Sequence, residues 1–182
     1  MRPAILVIDI IRDFVSGVLG SERAGNIIPR VKRLLDEAHR RGVPIIHVTD
    51  AHIEGDREFQ LWPRHAVDGT EGAEIVEELQ PQPGDYHLKK RRYSAFYATG
   101  LDALLRELGV DAVILTGLVT NICVQHTAAD AFFRGYRVIV PEDCVEAPSD
   151  EAHRAALRYM REIYGAEVVG SEELLNRLGE GP

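Results

Sequence analysis

The sequence predicts an α/β fold of three layers, with helices on both faces of a six-stranded parallel sheet. Three observations carry this. Short apolar runs alternate along the chain with segments of helical period, the pattern of successive βαβ units. The runs from Ala4 to Ile11 and from Ala112 to Thr116 are almost continuously apolar, as strands covered on both faces are. A chain of 182 residues is long enough for one such domain, expected over 1–182, and too short for two comfortable ones.

The elements follow in order. Ala4 to Ile11 reads as the first buried strand, with Asp9 at its end. Asn26 to Arg41 reads as a helix, because Ile27, Ile28, Val31, Leu34, Leu35 and Ala38 share one face and Gly42 supplies a stop. Pro44 to Asp50 is the second strand. Ala51 to Thr70 has no helical period. Gly72 to Leu79 reads as a short helix and Pro81 to Gly84 as a turn. Asp85 to Lys90 is the third strand, and Leu101 to Leu108 a helix closed by Gly109. After the strand at Ala112, the spacing of Val124, Thr127, Ala128, Ala131 and Phe132 predicts a helix that stops at Gly135. Arg137 to Pro141, Ser149 to Tyr164, Ala166 to Val169 and Glu172 to Leu178 complete the chain as strand, helix, strand and helix. Right-handed crossovers are expected throughout.

Composition narrows the function. Hydrophobic residues make up 45% and charged residues 27% of the chain, near globular averages, which argues against disorder. A net charge of −8 argues against nucleic acid or an anionic membrane as partner. Two cysteines far apart in sequence do not make a disulfide framework. The first apolar run is interrupted by Asp9 and does not read as a signal peptide. No run is long enough to span a bilayer, so a reducing cytoplasm is the expected setting. The first strand is not followed by Gly-x-Gly-x-x-Gly, and neither a P-loop nor a Gly-x-Ser-x-Gly elbow is present, which excludes the corresponding nucleotide and serine-hydrolase readings.

In parallel α/β sheets ligands bind outside the carboxyl ends of the strands. Asp9, Asp50 and Lys90 end strands one to three, and Cys123 follows strand four. Gly117 and the Thr120-Asn121 pair precede Cys123, so it is expected near a helix N-terminus, where the dipole and free N–H groups favour thiolate. Asp9 is a candidate base for the thiol and a later proton donor to a leaving amine. Lys90 would hold a positive charge between two anions and lower both pKa values, while Lys89 points to the opposite face of the strand. Asp50-Ala-His52 puts two ligand types on one side of an extended segment. His65 follows, and two His with one carboxylate leave coordination positions open, suiting zinc, manganese or iron. Cys144 reads as structural, and His39, His87 and His153 as surface. His126 lies one helical turn beyond Cys123.

Asp9, Lys90 and Cys123, with the segments Gly117-Leu-Val-Thr-Asn-Ile-Cys-Val124, Thr127-Ala-Ala-Asp-Ala131 and Tyr93-Ser-Ala-Phe96, resemble the isochorismatase-like cysteine hydrolase superfamily and its Asp-Lys-Cys triad. Asp50-Ala-His52, followed by Trp62-Pro-Arg-His-Ala-Val-Asp-Gly-Thr-Glu-Gly-Ala73, is similar to the metal segment of nicotinamidases. The resemblance implies strand order 3-2-1-4-5-6 and hydrolysis through a cysteine thioester. It implies a cis peptide between Val119 and Thr120, with backbone N–H groups of Val119 and Cys123 forming an oxyanion hole. It further implies one divalent metal, zinc foremost, on Asp50, His52 and His65, meeting a pyridine nitrogen, and a ring held between Phe14 and Trp62. A homo-oligomer is expected, with Leu101, Leu104 and Leu105 as a candidate face. Nicotinamidases often carry Gln where this chain has Ile11. Some have a further His ligand soon after Asp-x-His, where Asp56 and Arg57 fall here, so that water or Asp56 would have to serve in its place.

The expected activity is hydrolysis of a small planar amide, nicotinamide first. The alternatives are an N-carbamoylsarcosine or ureido-type amidase, a metal oxygenase using Asp50, His52 and His65 with Cys123 incidental, and a non-catalytic binding module.

Overall fold

A parallel sheet forms the middle layer of the computed structural model, which describes residues 1–179. Its strands are β1 (Pro3–Ile8), β2 (Ile45–Asp50), β3 (Tyr86–Lys90), β4 (Ala112–Leu118), β5 (Arg137–Pro141), β6 (Val145–Glu146) and β7 (Glu167–Val169). The order is β3-β2-β1-β4-β5-β7, all pairs parallel, with the two-residue β6 added alongside the end of β4. The anticipated six strands are therefore present in the anticipated order, and β6 is an addition that its length hid.

Alternation along β1 explains the layers. Ala4, Leu6 and Ile8 point to one face and join a core with Leu101, Leu105, Ala128 and Met160 from α4 (Leu101–Glu107), α5 (Gln125–Phe133) and α6 (Asp150–Tyr164). Ile5 and Val7 point to the other and pack with Val31, Leu34 and Leu35 of α3 (Ile28–Arg41), as a period of two requires. The apolar stripe of α3 is buried as its spacing predicts, and Gly42 closes it in the left-handed conformation with its N–H bonded to Ala38 and His39 carbonyls. Truncating the fully buried Leu34 to Ala would cost about 2–5 kcal/mol. Ser149 caps α6 by accepting from the Ala152 N–H at 3.2 Å. Among the described residues no helix is long and apolar enough to cross a membrane.

Several expectations are corrected. The first strand stops at Ile8 rather than Ile11, and two short helices, α1 (Arg12–Val15) and α2 (Glu22–Asn26), precede α3. The helix expected over Gly72 to Leu79 is absent. Two single 3₁₀ turns at Glu71–Ala73 and Glu77–Leu79 flank an extended piece instead. That piece bonds to the segment after β1: Arg12 N–H donates to Glu74 O at 2.9 Å and Val76 N–H to Ile10 O at 3.3 Å, so tertiary pairing overrides the local helical period. Leu101 and Leu105 are fully buried and Leu104 packs against the same core, so that helix face is interior and not an interface. The last element among the described residues is α7 (Ser171–Gly179).

The sheet order reverses between β1 and β4, with the chain leaving β1 toward β2 on one side and returning at β4 on the other. Gly117 makes this junction tight. It lies opposite Ile8 in register, has φ 110°, and a Cβ there would fall 1.9 Å from the Ile8 carbonyl oxygen. Any side chain would push apart the strand ends that carry Asp9 and lead to Cys123.

Candidate active site

Asp9 follows β1 directly in a left-handed backbone conformation, φ 53°, uncommon for a residue with a side chain and typical of sites where geometry outranks local preference. Its Oδ1 accepts the Asp50 N–H at 2.7 Å. Lys90, the last residue of β3, points inward and is 2% exposed, whereas Lys89 faces out and pairs with Asp68 at 2.5 Å. The Lys90 ammonium lies 2.7 Å from Asp9 Oδ2, 2.5 Å from Asp50 Oδ1 and 3.7 Å from Cys123 Sγ. The approach to Asp9 Oδ2 is an ion pair by distance without hydrogen-bond alignment, so that oxygen retains an unused acceptor site. Donor atoms of Asp9, Asp50 and Cys123 all lie within 4.8 Å of one another.

Charge in this closed space settles as follows. Burial and the neighbouring Asp50 raise the Asp9 carboxyl from 3.8 to about 6, against the lowering influence of Lys90. Burial also opposes ionisation of Asp50, but Lys90 and His52 outweigh it and hold that carboxyl below the usual range. For Lys90, burial favours the neutral amine, yet Asp50 and Asp9 outweigh it and keep the side chain cationic. Burial pushes the Cys123 thiol well up, reinforced by Asp9 and Asp50 and only partly offset by Lys90. This corrects the expectation of a resting thiolate. Cys123 is 5% exposed and sits inside a π-helical turn, Thr120–Val124, that runs into α5, with no side-chain cap. Desolvation outweighs a helix dipole here, so the thiol needs a base, and Asp9 is beside it. Lys90 lowers Asp9 too, but less than burial and Asp50 raise it.

The cis peptide lies between Leu118 and Val119, one residue earlier than expected. β4 runs through Leu118 and Val119 is already the extended residue before the π turn, so the break falls at the end of the strand rather than inside the turn.

Beside Asp9, Lys90 and Cys123, donor atoms of Asp50, His52 and His65 converge within 4.8 Å. His52 Nε2 is buried without a hydrogen-bond partner, 3.5 Å from Asp50 Oδ2 and 3.7 Å from Glu58 Oε2. His65 Nδ1 lies 2.6 Å from the Pro63 carbonyl, which leaves Nε2 as its ligand atom. Ligand bonds of about 2.1 Å in a tetrahedron require donors about 3.4 Å apart. An orphaned imidazole nitrogen at nearly that spacing from a carboxylate fits a divalent cation, with Asp50, His52 and His65 as its holders and Glu58 3.7 Å from His52 beside them. Asp50 serves both clusters, through Oδ1 to Lys90 and Oδ2 toward His52.

An apolar pocket opens onto Cys123, lined by Phe14, Leu19, Asp50, Glu58, Trp62, His65, Tyr93, Leu118, Val119, Ile122, Cys123 and Pro148. Phe14 stands against the His65 ring at 5.5 Å, and the Trp62 indole N–H donates to the Tyr93 hydroxyl at 3.1 Å. His126 is exposed, bonded to the Ile122 carbonyl and tilted against the Tyr93 ring at 5.4 Å, outside this lining.

The isochorismatase domain model matches residues 3–173. The chain belongs to the isochorismatase family. An isochorismatase family protein, PncA of Bacillus subtilis (strain 168), is 35% identical over 181 residues, covering 92% of this chain and 99% of that relative. Among solved structures of this family, N-carbamoylsarcosine amidase from Thermoplasma acidophilum superposes with TM-score 0.89 at 41% identity, covering 94% of this chain and 98% of that one. Pyrazinamidase of Pyrococcus horikoshii, solved in complex with zinc, gives TM-score 0.88 at 31% identity over 93% and 99%.

Three site residues of this isochorismatase family member went unread in the sequence. Glu58 looked like part of a charged loop, and only its six-residue offset from His52 pointed to it. Asp13, on α1, accepts the Ala66 N–H at 2.7 Å and so pins the backbone next to His65. The adjoining Gly72 leaves it room, since a Cβ there would meet Asp13 at 2.2 Å. Tyr93 was read only as part of a motif, and its place in the pocket had no signal of its own.

Proposed function

We propose that the protein is a cysteine amidohydrolase for a small, neutral, planar amide, with nicotinamide the leading substrate. One observation carries the choice of substrate: the pocket over Cys123 is walled by Phe14, Trp62, Tyr93 and aliphatic side chains, and its only charged members besides the His are Asp50 and Glu58. No arginine or lysine stands among these lining residues to pair with a substrate carboxylate, which would lose its water beside Asp50 and Glu58. Arg91 and Arg92, the nearest candidates by sequence, are both engaged by Asp56 at 3.1 Å.

The residues support a two-step reaction. The Sγ proton passes to Asp9 as sulfur bonds to the amide carbon, and the oxygen that gains charge faces the N–H groups of Val119 and Cys123. Asp9 returns the proton to nitrogen as the C–N bond breaks and ammonia leaves. Asp9 then takes a proton from water, which attacks the thioester, and the C–S bond breaks with the proton delivered back to Sγ. Lys90 stays cationic throughout and limits the repulsion between Asp9, Asp50 and developing thiolate. A divalent cation held by Asp50, His52 and His65 would keep a coordination position open and would supply an electrophilic anchor for a ring nitrogen. Phe14 and Trp62 offer faces on which the ring can stack. A metal oxygenase would leave Asp9, Lys90 and Cys123 without a task on the same pocket.

The likeness to N-carbamoylsarcosine amidase keeps a carbamoyl substrate as the second reading. Ammonia release from nicotinamide and from N-carbamoylsarcosine, by wild type and by Cys123→Ala, separates the two. The expected result is turnover of nicotinamide that disappears with the thiol. Turnover of the carbamoyl acid alone would replace the first reading with the second.

A further inference from the structure

Asp56 belongs to neither cluster, yet it is buried, 3% exposed, and touches more of the site than any loop residue around it. Oδ2 lies 3.2 Å from His52 Nδ1. Oδ1 accepts the Glu58 N–H at 3.2 Å and so caps the 3₁₀ turn Arg57–Gln60 that carries Glu58. Arg91 approaches Oδ2 with Nε at 3.2 Å and Nη2 at 3.1 Å, and Arg92 approaches Oδ1 at 3.1 Å. These two arginines directly follow Lys90 at the end of β3. One carboxylate therefore holds the ring of His52, the backbone of Glu58 and the strand end that delivers the triad lysine.

We infer that Asp56, clamped by Arg91 and Arg92, is the positioning residue that fixes the His52 ring as a preformed metal donor and sets the turn carrying Glu58 beside it. The inference rests on reading Asp50, His52 and His65 as a metal site. The reasoning is geometric. An acceptor at Nδ1 selects the tautomer with the proton on Nδ1 and leaves the Nε2 lone pair facing Glu58 and Asp50. Carboxylates behind ligating imidazoles typically contribute about 10–100-fold to metal affinity. The arginine pair holds the Asp56 oxygens in a fork, so the loop from Ala51 to Gln60 is set before any ligand arrives. Asn at this position keeps the shape but offers only one acceptor oxygen. Its NH₂ would face either the His52 N–H or the Glu58 N–H, both donors.

The test uses zinc alone and the full chain. Zinc affinity is measured by competition with a chromophoric chelator for wild type, Asp56→Asn and the double variant Arg91→Gln/Arg92→Gln, with circular dichroism to confirm folding. Nitrogen NMR of the His52 ring follows its tautomer. The expected result is affinity lower by about 10–100-fold in Asp56→Asn, a smaller loss in the arginine double variant, and loss of the Nδ1-protonated signature in Asp56→Asn. If Asp56→Asn does not fold, the arginine variant decides, because its substitutions are on half-exposed side chains and leave Asp56 in place. Folded variants that bind zinc as wild type does would overturn the inference while leaving the metal reading intact. Wild type that binds no zinc would overturn both.

Discussion

Asp9→Asn removes a charge that the fold holds against its own preference, and it should make the protein more stable while abolishing activity. Asp9 is completely buried, and its carboxyl is raised from 3.8 to about 6 by desolvation and by Asp50. A carboxyl with a raised folded pKa binds its proton more tightly in the native state. Its contribution to stability is therefore fully present below about pH 4 and is lost as pH rises through 6. The difference between 3.8 and about 6 corresponds to about 3 kcal/mol withheld at neutral pH, at 1.36 kcal/mol per pKa unit. Asn preserves the acceptor that meets the Asp50 N–H, 2.7 Å away in the native pair, and the ion pair to Lys90 lost with the charge is already contained in the pKa of about 6. Urea unfolding of both proteins at pH 7.5, 6 and 4.5 should show Asp9→Asn ahead by up to about 3 kcal/mol at the highest pH, with the gap closing toward the lowest. A variant less stable than wild type at pH 7.5, or a gap that does not change with pH, would refute the reasoning. The retained charge is the kind of stability loss that functional groups commonly impose.

Two further outcomes follow from the same electrostatics. Because Asp9 acts ionised, kcat/KM for the amide should fall about tenfold per pH unit below an acid limb near 6, and a profile flat from pH 7 to 4.5 would remove Asp9 as the base. His47, 1% exposed, has both ring nitrogens unpartnered and stands 3.9 Å from Asp85 Oδ2. Burial lowers it from 6.5 to about 4, with His87 and His39 adding to the effect and Asp85 opposing it. Its depressed pKa gives stability that is present above 6.5 and lost as pH falls toward 4, worth about 3 kcal/mol. His47→Leu should abolish that loss in urea melts while changing stability little at pH 7.5, and an unchanged acid dependence would contradict it. The two effects oppose each other between pH 4 and 6, so wild type alone should show a shallower pH dependence there than either variant.

The parallel sheet was legible because β1, β2 and β4 are buried on both faces and read as apolar runs between helical periods, whereas its strand order came from the family resemblance. The strand ends of Asp9, Asp50 and Lys90 agreed with the rule about carboxyl edges, and Lys90 was separated from Lys89 by its spacing to Tyr93-Ser-Ala-Phe96 together with period two. The failures share a cause. Gly72 to Leu79 has a helical period, but its backbone is recruited by Ile10 and Arg12, a pairing invisible to any local window. The resting state of Cys123 was misread because position near a helix start suggests a thiolate, whereas burial beside two carboxylates decides the outcome and depends on tertiary packing. Glu58 and Asp56 stand four residues or more beyond His52 in a loop without period, and only the folded turn at Arg57–Gln60 brings them to the imidazole.

The central claim is that Cys123 forms a thioester with the acyl part of an amide. Acid quenching during turnover of nicotinamide, followed by peptide mass mapping, tests it directly. The account requires a pyridine-carbonyl adduct on the peptide carrying Cys123, absent in Cys123→Ala. Ammonia release by wild type with no adduct at any time point, and undiminished release by Cys123→Ala, would contradict it.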